Sequence, residues 1–159
     1  MVTSHALTFL LRLLLVCLFF PFSALDKTLN FEGALGQALG LLKNKPLAIV
    51  MLMAGLMVEV FGSLGILTGI ADRLAALVLA VYCIATAVLF KEFWTLHDFW
   101  AKGPSKSRDL WWDFLKNLSL AGGILLITFG NGPVDIKDLL ANPLGSTHPY
   151  ANISQGSPP

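Results

Sequence analysis

Charge is scarce in this chain. Asp, Glu, Lys and Arg make up 13% of its 159 residues, against about 25% in soluble domains. Hydrophobic residues make up 55%, and the mean hydropathy is +0.71. An ordinary soluble domain is thereby excluded, and the long apolar runs place the chain in the membrane class. The formal net charge is only +1 and the basic residues form no dense cluster, so no nucleic-acid partner is expected. Cysteine is nearly missing. Cys17 and Cys83 lie in different apolar runs and form no Cys-x-x-Cys pair. Neither a thiol relay nor a zinc or other metal site is expected, and both read as small packing residues. Of the three histidines, His5 and His148 lie in the tails and His97 near a surface. That leaves no pair at depth for an intramembrane bis-His haem. A P-loop, a dinucleotide fingerprint and a Gly-x-Ser-x-Gly elbow are all missing. The chain is expected to hold no redox centre and no covalently bound cofactor of its own.

What remains is a set of membrane segments. Residues 6–25 form the first candidate span. They are read as retained, because Arg12 interrupts the apolar run and no clean small-x-small cleavage site follows. Pro21 removes a backbone donor and predicts a kink near the exit. Residues 31–42 place Phe31, Leu35, Leu39 and Leu42 at helical spacing in a stretch too short to span, which fits an interfacial or re-entrant helix. Residues 46–70 make the second span, with Pro46 suited to a helix start. A tight turn at Asp72-Arg73 leads to the third span, residues 74–90, with Ala76, Ala80, Cys83 and Ala87 on one stripe. The fourth is expected over residues 115–129, drawing on 111–114 at its start. The fold class is therefore an all-α membrane protein. It is a compact four-transmembrane-helix bundle over residues 5–132, with short interfacial helices in the first and third connections. Residues 133–159 follow as a polar, largely disordered tail, which holds one short amphipathic turn at 135–141.

Glu59 is the most informative residue. It lies inside an otherwise uncharged span, where about 20 apolar residues cross the hydrocarbon. A carboxyl group at that depth faces protein or a watery cavity. Gly55, Gly62 and Gly69 share its helix face, which lets another helix approach closely. Helix rise puts Arg12 about 9 Å deep and Glu59 about 16 Å deep from the same side. The axial gap of about 7 Å is within an arginine's reach. Two alternatives stand: Arg12 pairs inward with Glu59, or it snorkels to the surface. A second cluster, comprising Asp26, Lys27, Lys91, Glu92, His97, Asp98, Lys116 and Asn117, could converge over the bundle mouth. A histidine among carboxylates can relay protons, although loop ends of this kind are more often solvated.

The two membrane sides differ. Trp94, Trp100, Trp111 and Trp112 flank the third connection as an aromatic belt, whose simplest role is anchoring in headgroups. The first connection emerges on the same side, together with most of the basic residues. The positive-inside rule then puts both connections in the cytoplasm and both termini outside.

The order of these features resembles the DoxX family of small four-helix membrane proteins. The resemblance covers roughly residues 7–130. It rests on Arg12, the Ser23-Ala24-Leu25-Asp26-Lys27 exit, and Glu59 followed by Gly62, Gly65 and Gly69. Asp72-Arg73-Leu74-Ala75-Ala76, Ala85-Thr86-Ala87 with Phe93-Trp94, and Phe114-Leu115-Lys116-Asn117-Leu118 before Gly122-Gly123 complete it. One departure is Lys91, where family members often carry a histidine. The resemblance implies a multi-pass protein of the bacterial or archaeal cytoplasmic membrane. It implies an accessory or anchoring subunit of a quinone-linked oxidoreductase complex, with protein partners there or as a homo-oligomer. A quinone-reactive enzyme using Glu59 and Arg12, or His97 and Lys116, is the alternative, and a small-solute or lipid carrier is a third. A quinone or polar-ligand site would draw on Arg12, Asp26, Lys27, Glu59, Lys91, His97, Lys116 and Asn117, with Glu59, Arg12 and His97 as catalytic candidates.

Overall fold

The computed structural model describes residues 2–130 and 134–151. The first helix, α1 (Val2–Val16), stops where Phe20 adopts an extended backbone (φ −130°, ψ 123°). Phe20 precedes Pro21, whose ring disfavours the helical region at that residue and whose nitrogen carries no donor. The segment Leu18–Ser23, broken at Phe20, leads into α2 (Ala24–Leu29), and the axis bends by 41° between the two arms. The expected kink is therefore present. Asn30 separates α2 from α3 (Phe31–Leu42), so the first connection holds short helices as expected. Leu35 and Ala38 of α3 bury themselves against Ala48 and Leu52 of the next helix.

That helix, α4 (Lys45–Thr68), is capped by Asn44, whose Oδ1 accepts the Leu47 N–H at 3.2 Å, with Pro46 in its first turn. It ends at Gly69, where φ is +77°. A side chain there would also meet the Pro149 ring at 2.8 Å, so glycine is required twice over. α5 (Asp72–Phe90) returns antiparallel and packs along both α4 and α6 (Lys106–Phe129). Small residues set the α4–α5 distance. A Cβ at Gly65 would lie 2.7 Å from that of Ala75. Ala76, Ala80, Cys83 and Ala87, the predicted stripe, are all buried. Val16, Ile66, Leu79 and Ile124 close the core from four helices. The outer faces carry exposed Leu7, Leu14, Val50, Phe61, Val81 and Leu126. Large apolar side chains all around a helical body are what a hydrocarbon solvent requires.

Three helices, α4, α5 and α6, are long and apolar enough to cross a membrane, and the bent α1–α2 pair makes a fourth if it counts as one span. Among the described residues there is no strand. The chain is a multi-pass helical membrane protein in contact with lipid.

Two expectations need correction. The third connection holds no interfacial helix, only a single 3-10 turn, Phe93–Thr95. Its residues are pinned to the start of α6 instead. Ser107 Oγ donates to the Phe93 carbonyl at 2.7 Å. Arg108 donates to Phe99 O and Ala101 O at 2.7 Å each, and to Gly103 O. Asp98 accepts the Lys106 and Ser107 N–H groups at 2.7 and 3.2 Å. Partial desolvation raises the Asp98 carboxyl, but these helix-start donors and the Ser105 hydroxyl outweigh it and hold the group below its usual range. Second, the last span is longer than expected: α6 begins at Lys106, so Trp111, Trp112, Lys116 and Asn117 are all helical. Beyond residue 133, the short turn expected at 135–141 is present as α7 (Ile136–Ala141), and Ser146, Thr147 and Tyr150 hydrogen-bond to the end of α4 and the start of α5. The boundary drawn at residue 132, and residues 152–159, lie outside the described residues.

Candidate functional site

Past the Pro21 bend, Ser23 and Lys27 stand four residues apart on one face, and that face lies over Glu59. Glu59 is 2% exposed. Its Oε1 is the hub of the site. The Lys27 ammonium pairs with it directly. Ser23 Oγ donates to it at 3.1 Å and the Tyr82 hydroxyl at 2.8 Å. Lys27 Nζ also donates to Ser23 Oγ at 2.8 Å and reaches Tyr82 OH at 3.4 Å. Three elements thus converge: the segment after the bend, α4 and α5. Among the described residues, Glu59 Oε2 and Ser63 Oγ, one helical turn further on, are buried without a hydrogen-bond partner.

A cavity of about 630 Å³ leads to this cluster, a size usual for small-molecule sites. Leu18, Phe19, Met51, Leu52, Val58 and Leu89 give it apolar walls. Asp26, Asn30, Gln37, Lys91 and Asn117 line it towards the side of the two long connections. On α4 the lining runs no further than Glu59. Beyond that point the buried core of Ile66, Leu79 and Ile124 fills the interior.

The predicted site residues divide into two groups. Glu59, Asp26, Lys27, Lys91 and Asn117 line this one cavity. Arg12, His97 and Lys116 do not. His97 is exposed in the third connection. Lys116 points outward and pairs with Asp113 at 3.2 Å, while Lys91 bonds the same carboxylate at 3.0 Å. Glu92 is exposed, and Asp98 caps α6. The Arg12–Glu59 pair does not form. Arg12 turns to the nearer membrane side, where it meets Asp72 Oδ2 at 2.8 Å, Ile66 O at 2.6 Å and Thr147 Oγ1 at 2.7 Å. Ile66 O is one of the carbonyls left free at the end of α4, a place that favours a cation. Asp72 is fully buried and also accepts from Thr147. Each buried carboxylate has its own cation at its own end of the bundle.

Tyr82, Ser63 and Thr147 escape the sequence reading, and Asp72 enters it only as a turn and motif residue. A signal for Tyr82 does exist. Gly55 precedes Glu59 by one turn, and a Cβ there would lie 3.2 Å from the Tyr82 hydroxyl. The glycine clears room for the phenol as well as for the helix. Lys27 is among the predicted site residues, but its pairing with Glu59 is not, because the Ser23–Lys27 face reaches that carboxylate only once the chain bends at Pro21.

Among known proteins, no curated protein and no solved structure matches this chain. The DoxX family model matches residues 7–92. That stretch is more than half of the chain and includes Arg12, the Pro21 bend, Ser23, Lys27, Glu59, Asp72 and Tyr82. The protein belongs to the DoxX family.

Proposed function

We propose that the Lys27–Glu59 cavity receives the headgroup of a quinone-type redox lipid. In this reading the protein serves as an accessory or anchoring subunit of a membrane-bound, quinone-linked oxidoreductase complex in a bacterial or archaeal cytoplasmic membrane. The observation that carries it is the buried Lys27–Glu59–Tyr82 cluster at the head of an apolar-walled cavity. A polar head on an apolar body suits such a space, and the family resemblance supplies the redox setting. No residue here points to a redox centre of the chain's own, so electrons would come from a partner.

Mild detergent extraction followed by native mass measurement tests the subunit role. A stable complex with a redox enzyme is expected, and a solitary species under all mild conditions counts heavily against it. Ligand binding is tested separately. Titration with a short-chain benzoquinone–benzoquinol couple should saturate at one site, and Glu59→Gln should weaken it on the order of tenfold by disturbing the ion-paired head.

A quinone-reactive enzyme is the second reading. It is favoured by three proton-bearing groups, Lys27, Tyr82 and Ser23, meeting at one carboxylate oxygen. It does not run through Arg12, nor through His97 and Lys116. Quinone turnover unaffected by Glu59→Gln in the assembled complex would end it. Carriage of a solute or lipid has the least support, because the cavity closes below Glu59.

A further inference from the structure

We infer that the cavity selects the reduced, hydroxyl-bearing form of its ligand, a quinol over the matching quinone. The inference rests on the quinone-lipid reading above, and hydrogen-bond capacity at the head of the cavity carries it. The Lys27 ammonium has three N–H donors and no acceptor. They point at Glu59 Oε1, at Ser23 Oγ (2.8 Å) and at Tyr82 OH (3.4 Å). The Ser23 hydroxyl proton goes to Glu59 Oε1, and so does that of Tyr82. Every donor of Lys27, Ser23 and Tyr82 is committed to another group within the cluster.

Acceptor capacity is not used up. An ionised carboxylate offers about four lone-pair sites on its two oxygens. Oε1 takes all three donors, and Oε2 takes none although it is buried. A buried acceptor left without a donor is costly. A quinone carbonyl is itself only an acceptor. At this position it would find no free donor and would be set against a carboxylate. A quinol hydroxyl brings the donor the site lacks.

The outer lining is mixed. Lys91, the other ammonium there, is drawn to Asp113 Oδ2 at 3.0 Å. Asn117 spends one of its two amide N–H groups on the Asp113 carbonyl at 3.2 Å, which leaves one N–H and its amide oxygen. Asp26 adds a carboxylate that is itself exposed to competing water. The remaining amides, Asn30 and Gln37, are exposed, where water competes for them. Lys91 keeps two N–H donors and the amides keep theirs, so the rim offers both kinds of bond, and the acceptor surplus lies at the head, on Glu59 Oε2.

The test uses the full chain in lipid nanodiscs under anaerobic conditions. Three probes share one alkyl tail: a benzoquinol, its benzoquinone and the quinol's dimethyl ether. The quinol should bind tighter than the quinone by on the order of tenfold, the scale of one satisfied buried acceptor. The ether, stripped of donors, should lose that advantage. Glu59→Gln replaces one carboxylate oxygen with an amide donor and should narrow or invert the preference. The wild-type comparison decides the matter even if that variant does not fold. Equal affinities, or a preference for the quinone, overturn this inference and leave the quinone-lipid reading standing. Binding of none of the three overturns both.

Discussion

Glu59 is tolerated inside a membrane helix because its charge is matched where it sits. Lys27 neutralises it, and Ser23 and Tyr82 add neutral donors to the same oxygen. Desolvating two charges is costly, and a buried pair is stabilising chiefly relative to a state in which one partner has been lost. The consequence is asymmetric. Lys27→Ala leaves Glu59 buried without its cation. It should lower stability in detergent by about 3 kcal/mol, the low end of the usual range, because the Lys27 side chain is 22% exposed. Lys27→Met combined with Glu59→Leu should recover most of that loss and still abolish ligand binding. Unfolding curves of the single and double variants check the first part, and ligand titration checks the second. A double variant no more stable than Lys27→Ala would contradict the account of Glu59 as a charge in need of a partner.

At the level of elements, two devices shape the site. One is the bend at Pro21, which turns α2 so that its polar face overlies α4. The other is the run of glycines on the face of α4 that meets α5. Not every glycine has such a duty, and the difference can be measured. Gly65 faces Ala75 so closely that Gly65→Ala must push α5 away, with an expected loss of about 1–3 kcal/mol. A Cβ at Gly122 of α6 would meet nothing within 4 Å. Gly122→Ala should leave stability unchanged, or raise it by up to about 1 kcal/mol through helix propensity. Thermal unfolding of the two variants side by side separates packing glycines from incidental ones.

For the whole molecule, the bent first pair decides the topology. Counted as one span, it puts the N-terminal end, the turn between α4 and α5, and the tail that caps α4 on one membrane side. The two long connections then lie on the other. Ile70 is exposed in the tight turn and Lys102 in the third connection. With Cys17 replaced by Ala, and Cys83 inert because it is 1% exposed, single cysteines at these positions report the sides. Ile70→Cys and Lys102→Cys should react with a membrane-impermeant maleimide from opposite faces of sealed vesicles. The positive-inside asymmetry predicts Lys102 on the cytoplasmic face. Labelling of both from one face would break the four-span count.

The sequence by itself determined the class, the long helices and the importance of Glu59. Apolar run length, helical periodicity and the cost of charge in hydrocarbon are local quantities that can be read along one chain. The Gly55–Glu59–Gly62 face and the Pro21 kink were legible for the same reason. Only the tertiary structure decided which charge meets which. Depth arithmetic along straight helices put Glu59 within reach of Arg12 and left snorkelling as the alternative, but the bend carries Lys27 to that carboxylate, and Asp72, at the opposite end of the bundle, holds Arg12. Tyr82 and Thr147 enter these clusters from residues distant in the chain. Partner choice depends on where bent and packed helices bring side chains in three dimensions, and helical spacing carries no information about rotation or bending between segments.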